Sequence, residues 1–122
     1  MTKTEVKKLD RIFSFWMREN YPRCQLCGIV PKPRSHHPHH IITRSVRLLR
    51  WCPDNICVCC FGCHRRLHDN PFWSVAVLTE LKGYEVLEVL NKLSRLTGIK
   101  RTYEQAVGEM DWDIEQYAGR YL

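Results

Sequence analysis

The sequence predicts a small α+β domain, and three observations predict it. Apolar residues recur at helical spacing at both ends of the chain. The middle is aperiodic and interrupted by Pro31, Pro33, Pro38 and Pro53. All seven cysteines fall in that middle stretch, between Cys24 and Cys63. At 122 residues the chain is about one domain, and it is read as one, 1–122. Its core is expected at about residues 21–71, with a helical part at about 72–122. A composition of 44% hydrophobic and 26% charged residues excludes collagen-like and wholly disordered classes.

Val6, Leu9, Phe13, Trp16 and Met17 mark an amphipathic helix over residues 3–20, ended by Tyr21-Pro22. Residues 23–62 read as hairpin and loop, with strands expected at Ile41-Ile42 and at Ile56-Cys57-Val58-Cys59. A short helix is expected over 63–69, stopped by Asp69-Asn70-Pro71. Phe72 to Leu81, closed by Gly83, is the next helix. Val86, Leu87, Leu90, Leu93 and Leu96 mark another, closed by Gly98. A last helix carries Tyr103, Ala106, Val107, Met110, Ile114, Tyr117 and Tyr121, with Thr102 as N-cap.

The formal net charge is +6, and residues 21–70 carry eight basic and two acidic side chains. The same stretch holds all six histidines. Positive charge around potential metal ligands suggests a phosphate-bearing partner, since Lys and Arg release counterions from a polyanion. No apolar run approaches the roughly 20 residues of a membrane span, so no membrane association is expected. Thr2 to Asn20 is too charged for a secretory signal. An odd cysteine count without such a signal favours reduced thiols that bind metal, and hence a cytoplasmic setting.

Two Cys-x-x-Cys pairs, Cys24 with Cys27 and Cys60 with Cys63, give the ligand set of a structural zinc site. Cys57 and Cys60 have the same spacing. The Cys60–Cys63 pairing is preferred, because Cys57 and Cys59 alternate along an expected strand and read as buried small hydrophobes. Cys52 is read the same way. His64 and His68 are i and i+4 on a short helix, so both imidazoles lie on one face and can share an ion. His39 and His40 are neighbours beside a strand, where adjacent side chains face opposite sides. One can bind metal while the other takes a proton. Asn55 stands at the start of the second strand.

The string Cys24-Gln25-Leu26-Cys27, then His39-His40-Ile41-Ile42-Thr43-Arg44, then Asn55 through Cys60, Cys63, His64 and His68, resembles an HNH endonuclease over about residues 24–70. The flanking helices bear a looser resemblance to small phage nucleases of the recombination-protein type. The resemblance implies a ββα-metal core and phosphodiester hydrolysis on DNA. It implies a bacterial cell or a phage-infected host. It makes His40 the general base, and His39, His64 and His68 ligands of one catalytic divalent ion. It has Asn55 organise the turn and orient His40 through its backbone carbonyl. The four cysteines hold a separate structural Zn2+.

The first position of the histidine dyad is often Asp in that family; here it is His39. Three imidazoles suit Zn2+, Ni2+, Co2+ or Mn2+ better than Mg2+, so the catalytic metal stays open among these five. Arg44, Arg65 and Arg66 are the candidates for contacting the scissile phosphate. Arg47 and Arg50 are explained by a basic loop face. His36 and His37 are expected as solvent-facing loop residues, since Pro38 rather than an apolar residue follows them. Oligomeric state is open; one such centre cuts one strand, so double-strand cleavage needs a dimer or two visits. The competing reading is a zinc-stabilised nucleic-acid-binding module without catalysis, which needs the cysteines but not the four histidines.

Overall fold

A computed structural model describes residues 1–122. It is α+β, with six helices and one two-stranded antiparallel sheet. Helix α1 spans Lys3–Asn20. Thr2 and Glu5 form a capping box at its start, which satisfies two backbone N–H groups that the first turn leaves unpaired. Val6, Leu9, Phe13 and Met17 form its buried stripe, as the spacing predicts.

Strand β1 is His36–His40 and β2 is Ile56–Cys60, paired antiparallel with His40 opposite Ile56 and His36 opposite Cys60. The first strand thus lies upstream of its expected place. Ile41 and Ile42 belong to the loop that follows, and His36 and His37 are strand residues, half-buried rather than in an open loop. Apolar residues point to Ile41-Ile42, whereas the histidines themselves make this strand. The hydrophobic run of β2, buried at all five positions, supplies the partner.

Opposite residues of an antiparallel pair share a face, and faces alternate along the strand. Ile56 and Val58 pack with α1 and Trp51 on one side of the sheet. Cys57 and Cys59 pack on the other side with Cys24, Leu67 and Leu78. His39 lies opposite Cys57 and His37 opposite Cys59, so both take the Cys57/Cys59 side. His40, opposite Ile56, takes the α1 side.

Helix α2, Phe61–Asp69, follows β2 without a linker; the Cys60 thiol caps its N-terminus by accepting from the Cys63 N–H. Helix α3 is Pro71–Lys82, capped by the Asn70 side chain, and α4 is Tyr84–Ser94. Gly83, at φ 86°, makes the turn between them, a conformation that favours glycine.

The expected last helix is two: α5, Tyr103–Gly108, and α6, Ile114–Tyr121. Asp113 starts α6 with its own capping box, and the Ile114 N–H donates to Asp54 Oδ2 at 2.7 Å. Between the two helices Glu109 is buried, bonded to Arg101 at 2.8 Å and to the Tyr121 hydroxyl at 2.7 Å. Tertiary contacts therefore break a run whose periodicity alone reads as continuous. Leu48, Leu49, Cys52, Leu90, Leu93, Ile114 and Tyr117 form the apolar centre of this helical half. No helix is long and apolar enough to cross a membrane.

Candidate metal centres

The cysteine centre is built on the free side of β2. Gln25 docks there like a short extra strand: its N–H donates to the Val58 carbonyl at 2.9 Å, and its Oε1 accepts from the Val58 N–H at 2.8 Å. This fixes the Cys24–Cys27 turn against the strand end that carries Cys60. The turn closes with Gly28, at φ 79°, whose N–H donates to the Cys24 carbonyl. Cys24, Cys27, Cys60 and Cys63 then present sulfurs all within 4.8 Å of one another.

Bonds of about 2.3 Å to a tetrahedral zinc set the sulfur–sulfur edge at about 3.8 Å. Cys27 and Cys60 sulfurs are 3.8 Å apart and the others lie within 4.8 Å, so the set could hold zinc. Burial pushes the Cys24 thiol up, but backbone N–H groups, that of Cys60 first, outweigh it and hold it down to about 7. That favours a thiolate at Cys24, while burial and the neighbouring thiols push the Cys63 thiol up. Cys52 behaves oppositely: burial pushes its thiol up to about 12, which suits an inert core residue.

The histidine centre begins one residue later on the same helix. His64 and His68 stand one turn apart on α2, with their Nε2 atoms 3.1 Å apart. His39, from β1, meets both rings edge-on, at centroid distances of 5.2 Å and 5.1 Å. One ligand nitrogen from each of the three lies within 4.8 Å of the others, so the trio can hold a metal ion. Burial first, then the neighbouring imidazoles, lowers the pKa of His39 to about 4. The same causes, with His37 and His68 as the neighbours, lower that of His64. Both rings are therefore neutral at pH 7, with lone pairs available to a cation.

His37 also joins this side, stacked on His64 with centroids 5.0 Å apart. Its Nε2 is buried and makes no hydrogen bond. It backs the His64 ring but is not among the three converging nitrogens.

His40 faces α1 and also lines an open cleft of about 510 Å³ with His39, His64, His68 and Arg44. Its Nε2 lies 2.8 Å from the Arg50 carbonyl, which can only accept, so Nε2 carries the proton and Nδ1 the lone pair. Burial is the main cause that lowers its pKa from the usual histidine value.

The carbonyl that orients His40 is thus that of Arg50; the Asn55 carbonyl accepts instead from the Ile41 N–H at 2.8 Å. Asn55 acts on the loop as a whole. Fully buried, it accepts from the Ile42 N–H at 2.7 Å and donates to the carbonyls of Ile42 and Leu49 at 3.0 Å. These three bonds staple residues 41–55 to the start of β2 and so set the position of Arg50.

Sequence reasoning missed Asp10. This α1 carboxylate accepts from Arg50 Nη2 at 2.7 Å, Trp51 Nε1 at 2.9 Å and Arg44 Nη2 at 3.0 Å. Burial pushes its pKa up, yet the Arg50 and Trp51 hydrogen bonds and the two guanidinium charges win, and the net shift is downward. Arg50 is therefore a largely buried partner of α1, not part of a basic loop face. Asp10 falls between Leu9 and Arg11 on an amphipathic helix, where an acidic residue carries no distinguishing signal.

The three candidate phosphate contacts separate. Arg44 lies in the cleft. Arg65 is exposed and pairs with Asp69 at 3.5 Å along the outside of α2. Arg66 stacks on the Trp73 ring, 4.1 Å from its centroid. No family model, curated protein or solved structure matches this chain.

Proposed function

We propose that the protein is a metal-dependent HNH-type endonuclease that hydrolyses DNA phosphodiester bonds. The observation that carries this reading is the convergence of His39, His64 and His68 beside His40 in one open cleft. A module stabilised by the cysteines alone has no use for four imidazoles there. The succession β1, β2, α2, with a cysteine pair and a histidine pair at its last junction, supports the same reading.

A divalent cation held by the three imidazoles would supply Lewis-acid chemistry, drawing charge from a phosphoryl oxygen and from the leaving 3′ oxygen. The rest falls to the chain. His40 Nδ1 accepts a proton from water, while Nε2 stays bonded to the Arg50 carbonyl. Asp10 holds the Arg50 side chain, so α1 fixes the orientation of the base. The water oxygen bonds to phosphorus and the P–O3′ bond breaks. The 3′ oxygen takes up a proton, which leaves 5′-phosphate and 3′-hydroxyl ends. Arg44, at the cleft wall, steadies the scissile phosphate.

The test is a cleavage panel of plasmid, linear duplex, branched and flap DNA with Mg2+, Mn2+, Ni2+, Co2+ or Zn2+. The parent cuts at least one substrate in a metal-dependent way. His40→Ala loses about 100-fold or more, the usual worth of a general base, while keeping its fold and cysteine-bound zinc. Undiminished cutting by that variant, with contaminating nuclease excluded, overturns the mechanism.

A further inference from the structure

Two clefts lie along the seam where α1 packs on β1, on the opposite side of the sheet from the histidine trio, and together form an interrupted groove. At one end lies a cleft of about 470 Å³, bordered by Lys7, Arg11 and Ser14 of α1 and by Pro38, His40 and Arg44. Pro38, His40 and Arg44 also border the histidine cleft, so the two spaces adjoin at His40. At the other end a cleft of about 440 Å³ is bordered by Arg18 and Glu19 of α1 and by Arg34 and His36. Helix and strand therefore run in opposite senses, with one cleft at each end of their seam.

Lys7, Arg11, Ser14 and Arg18 fall at i, i+4, i+7 and i+11, one face of a helix. Lys7 to Arg18 rises about 16 Å at 1.5 Å per residue. His36 to His40 extends about 13 Å at about 3.3 Å per residue, so the two walls match in length. No ion pair engages Lys7, Arg11, Arg18 or Arg34. Of the two carboxylates on the groove, Asp10 is already satisfied by Arg50, Trp51 and Arg44. A line of unpaired cations on a rigid helix, leading to the histidine cleft, matches a partner whose negative charges repeat along its length.

We propose that this groove carries the sugar–phosphate backbone of the DNA strand that enters the histidine cleft, with Lys7 and Arg11 taking the phosphates next to His40. The inference rests on the nuclease reading and extends it to α1, which contributes no residue to either metal centre. The Cys57/Cys59 side of the sheet then holds the metal and the scissile phosphate, and the α1 side holds the backbone that leads to them.

The experiment measures DNA binding by the full-length, zinc-loaded chain against salt concentration, in a His40→Ala background so that the DNA stays intact. Each lost phosphate contact lowers the slope of log K against log salt by about 0.9 on duplex or about 0.7 on single-stranded DNA. Lys7→Ala with Arg11→Ala is expected to lower it by about 1.8 or about 1.4, respectively, and to weaken binding evenly across sequences. Arg95→Ala with Lys100→Ala removes the same charge away from the groove and leaves the slope at the parent value. Lys7→Arg with Arg11→Lys restores binding, because both positions only need a cation. Zinc content and circular dichroism confirm that each variant is folded. Equal slopes in the two double-alanine variants would assign the effect to net charge and overturn the groove. A background chain that binds no DNA even at low salt overturns the groove and the nuclease reading together; binding with an unaltered Lys7/Arg11 slope overturns the groove alone.

Discussion

The cysteine and histidine centres use the same device and reach opposite results. Each takes a close pair from α2 or its N-terminus, Cys60 with Cys63 and His64 with His68, and completes it with residues brought from elsewhere. The completing residues decide the outcome. Cys24 and Cys27 complete a four-thiol set, which sits against one buried cluster of Cys24, Cys57, Cys59, Cys60, Leu67 and Leu78 with Cys27 on the exposed side. His39 completes the other set from one side only, and the rest of that site opens into a cleft. Closed four-ligand sites carry structural metals, whereas sites that keep an open position are the ones that do chemistry. One nine-residue helix thus carries a cysteine pair at its N-terminus and a histidine pair one turn further on.

The sharpest way to break this contrast is at the closed end. A structural zinc contributes apparent binding energies on the order of 10 kcal/mol. That rivals the roughly 5–15 kcal/mol of net stability of a whole domain. Cys24→Ser is therefore expected to remove most of the soluble yield, and what remains should melt early and hold no tight zinc. Metal analysis and thermal melting check this. A variant that melts like the parent would show that packing around Leu67 and Leu78, not an ion, holds the Cys24–Cys27 turn.

Substitution at the open end should behave differently. His68 is exposed and His64 only half-buried, and neither side chain belongs to the apolar core. His64→Ala is expected to change stability by no more than about 1 kcal/mol. It should retain the cysteine-bound zinc and yet lose the uptake of a second divalent ion, at least about 100-fold in affinity and beyond the usual cost of losing an outer-shell partner. Titration calorimetry on zinc-loaded protein reads the second ion, and urea unfolding reads the stability. Retention of a second ion by this variant would mean that the trio is not a metal site.

The contrast also marks how far the sequence could be read. The two cysteine pairs and the His64–His68 pair were legible because their spacing is local: two residues between thiols and three between His64 and His68 let sequence distance stand for spatial distance, whereas the choice of His39 over His40 is set by pairing with β2. Helix α1 was legible for the same reason, its stripe from Val6 to Met17 being a period. Strand β1 was not. Its buried contacts come from imidazole rings and from pairing with β2 across the loop of residues 41–55, neither of which leaves an apolar alternation. Nor was the Asp10–Arg50–His40 relay, whose first link joins residues 40 positions apart. The break between α5 and α6 was hidden because Glu109 is held by Arg101 and Tyr121, contacts that periodicity does not encode.

The smallest expected effect tests which arginine faces the substrate. Arg44 and Arg65 each make one exposed ion pair, with Asp10 at 3.0 Å and Asp69 at 3.5 Å. Exposed pairs contribute about 0–1 kcal/mol, and Asp10 keeps Arg50 and Trp51 when Arg44 is lost. Neither Arg44→Ala nor Arg65→Ala should therefore shift the urea midpoint by more than a small fraction of the total. Cleavage should tell them apart. Arg44 borders both the histidine cleft and the α1 cleft, whereas Arg65 points along the outside of α2. A charged hydrogen bond to phosphate is worth about 1.5–3 kcal/mol, so Arg44→Ala should slow cutting by about 10- to 100-fold, with Arg65→Ala close to the parent. The reverse order would move the scissile phosphate from the β1 side of the trio to the outer face of α2, and with it the open side of the histidine centre.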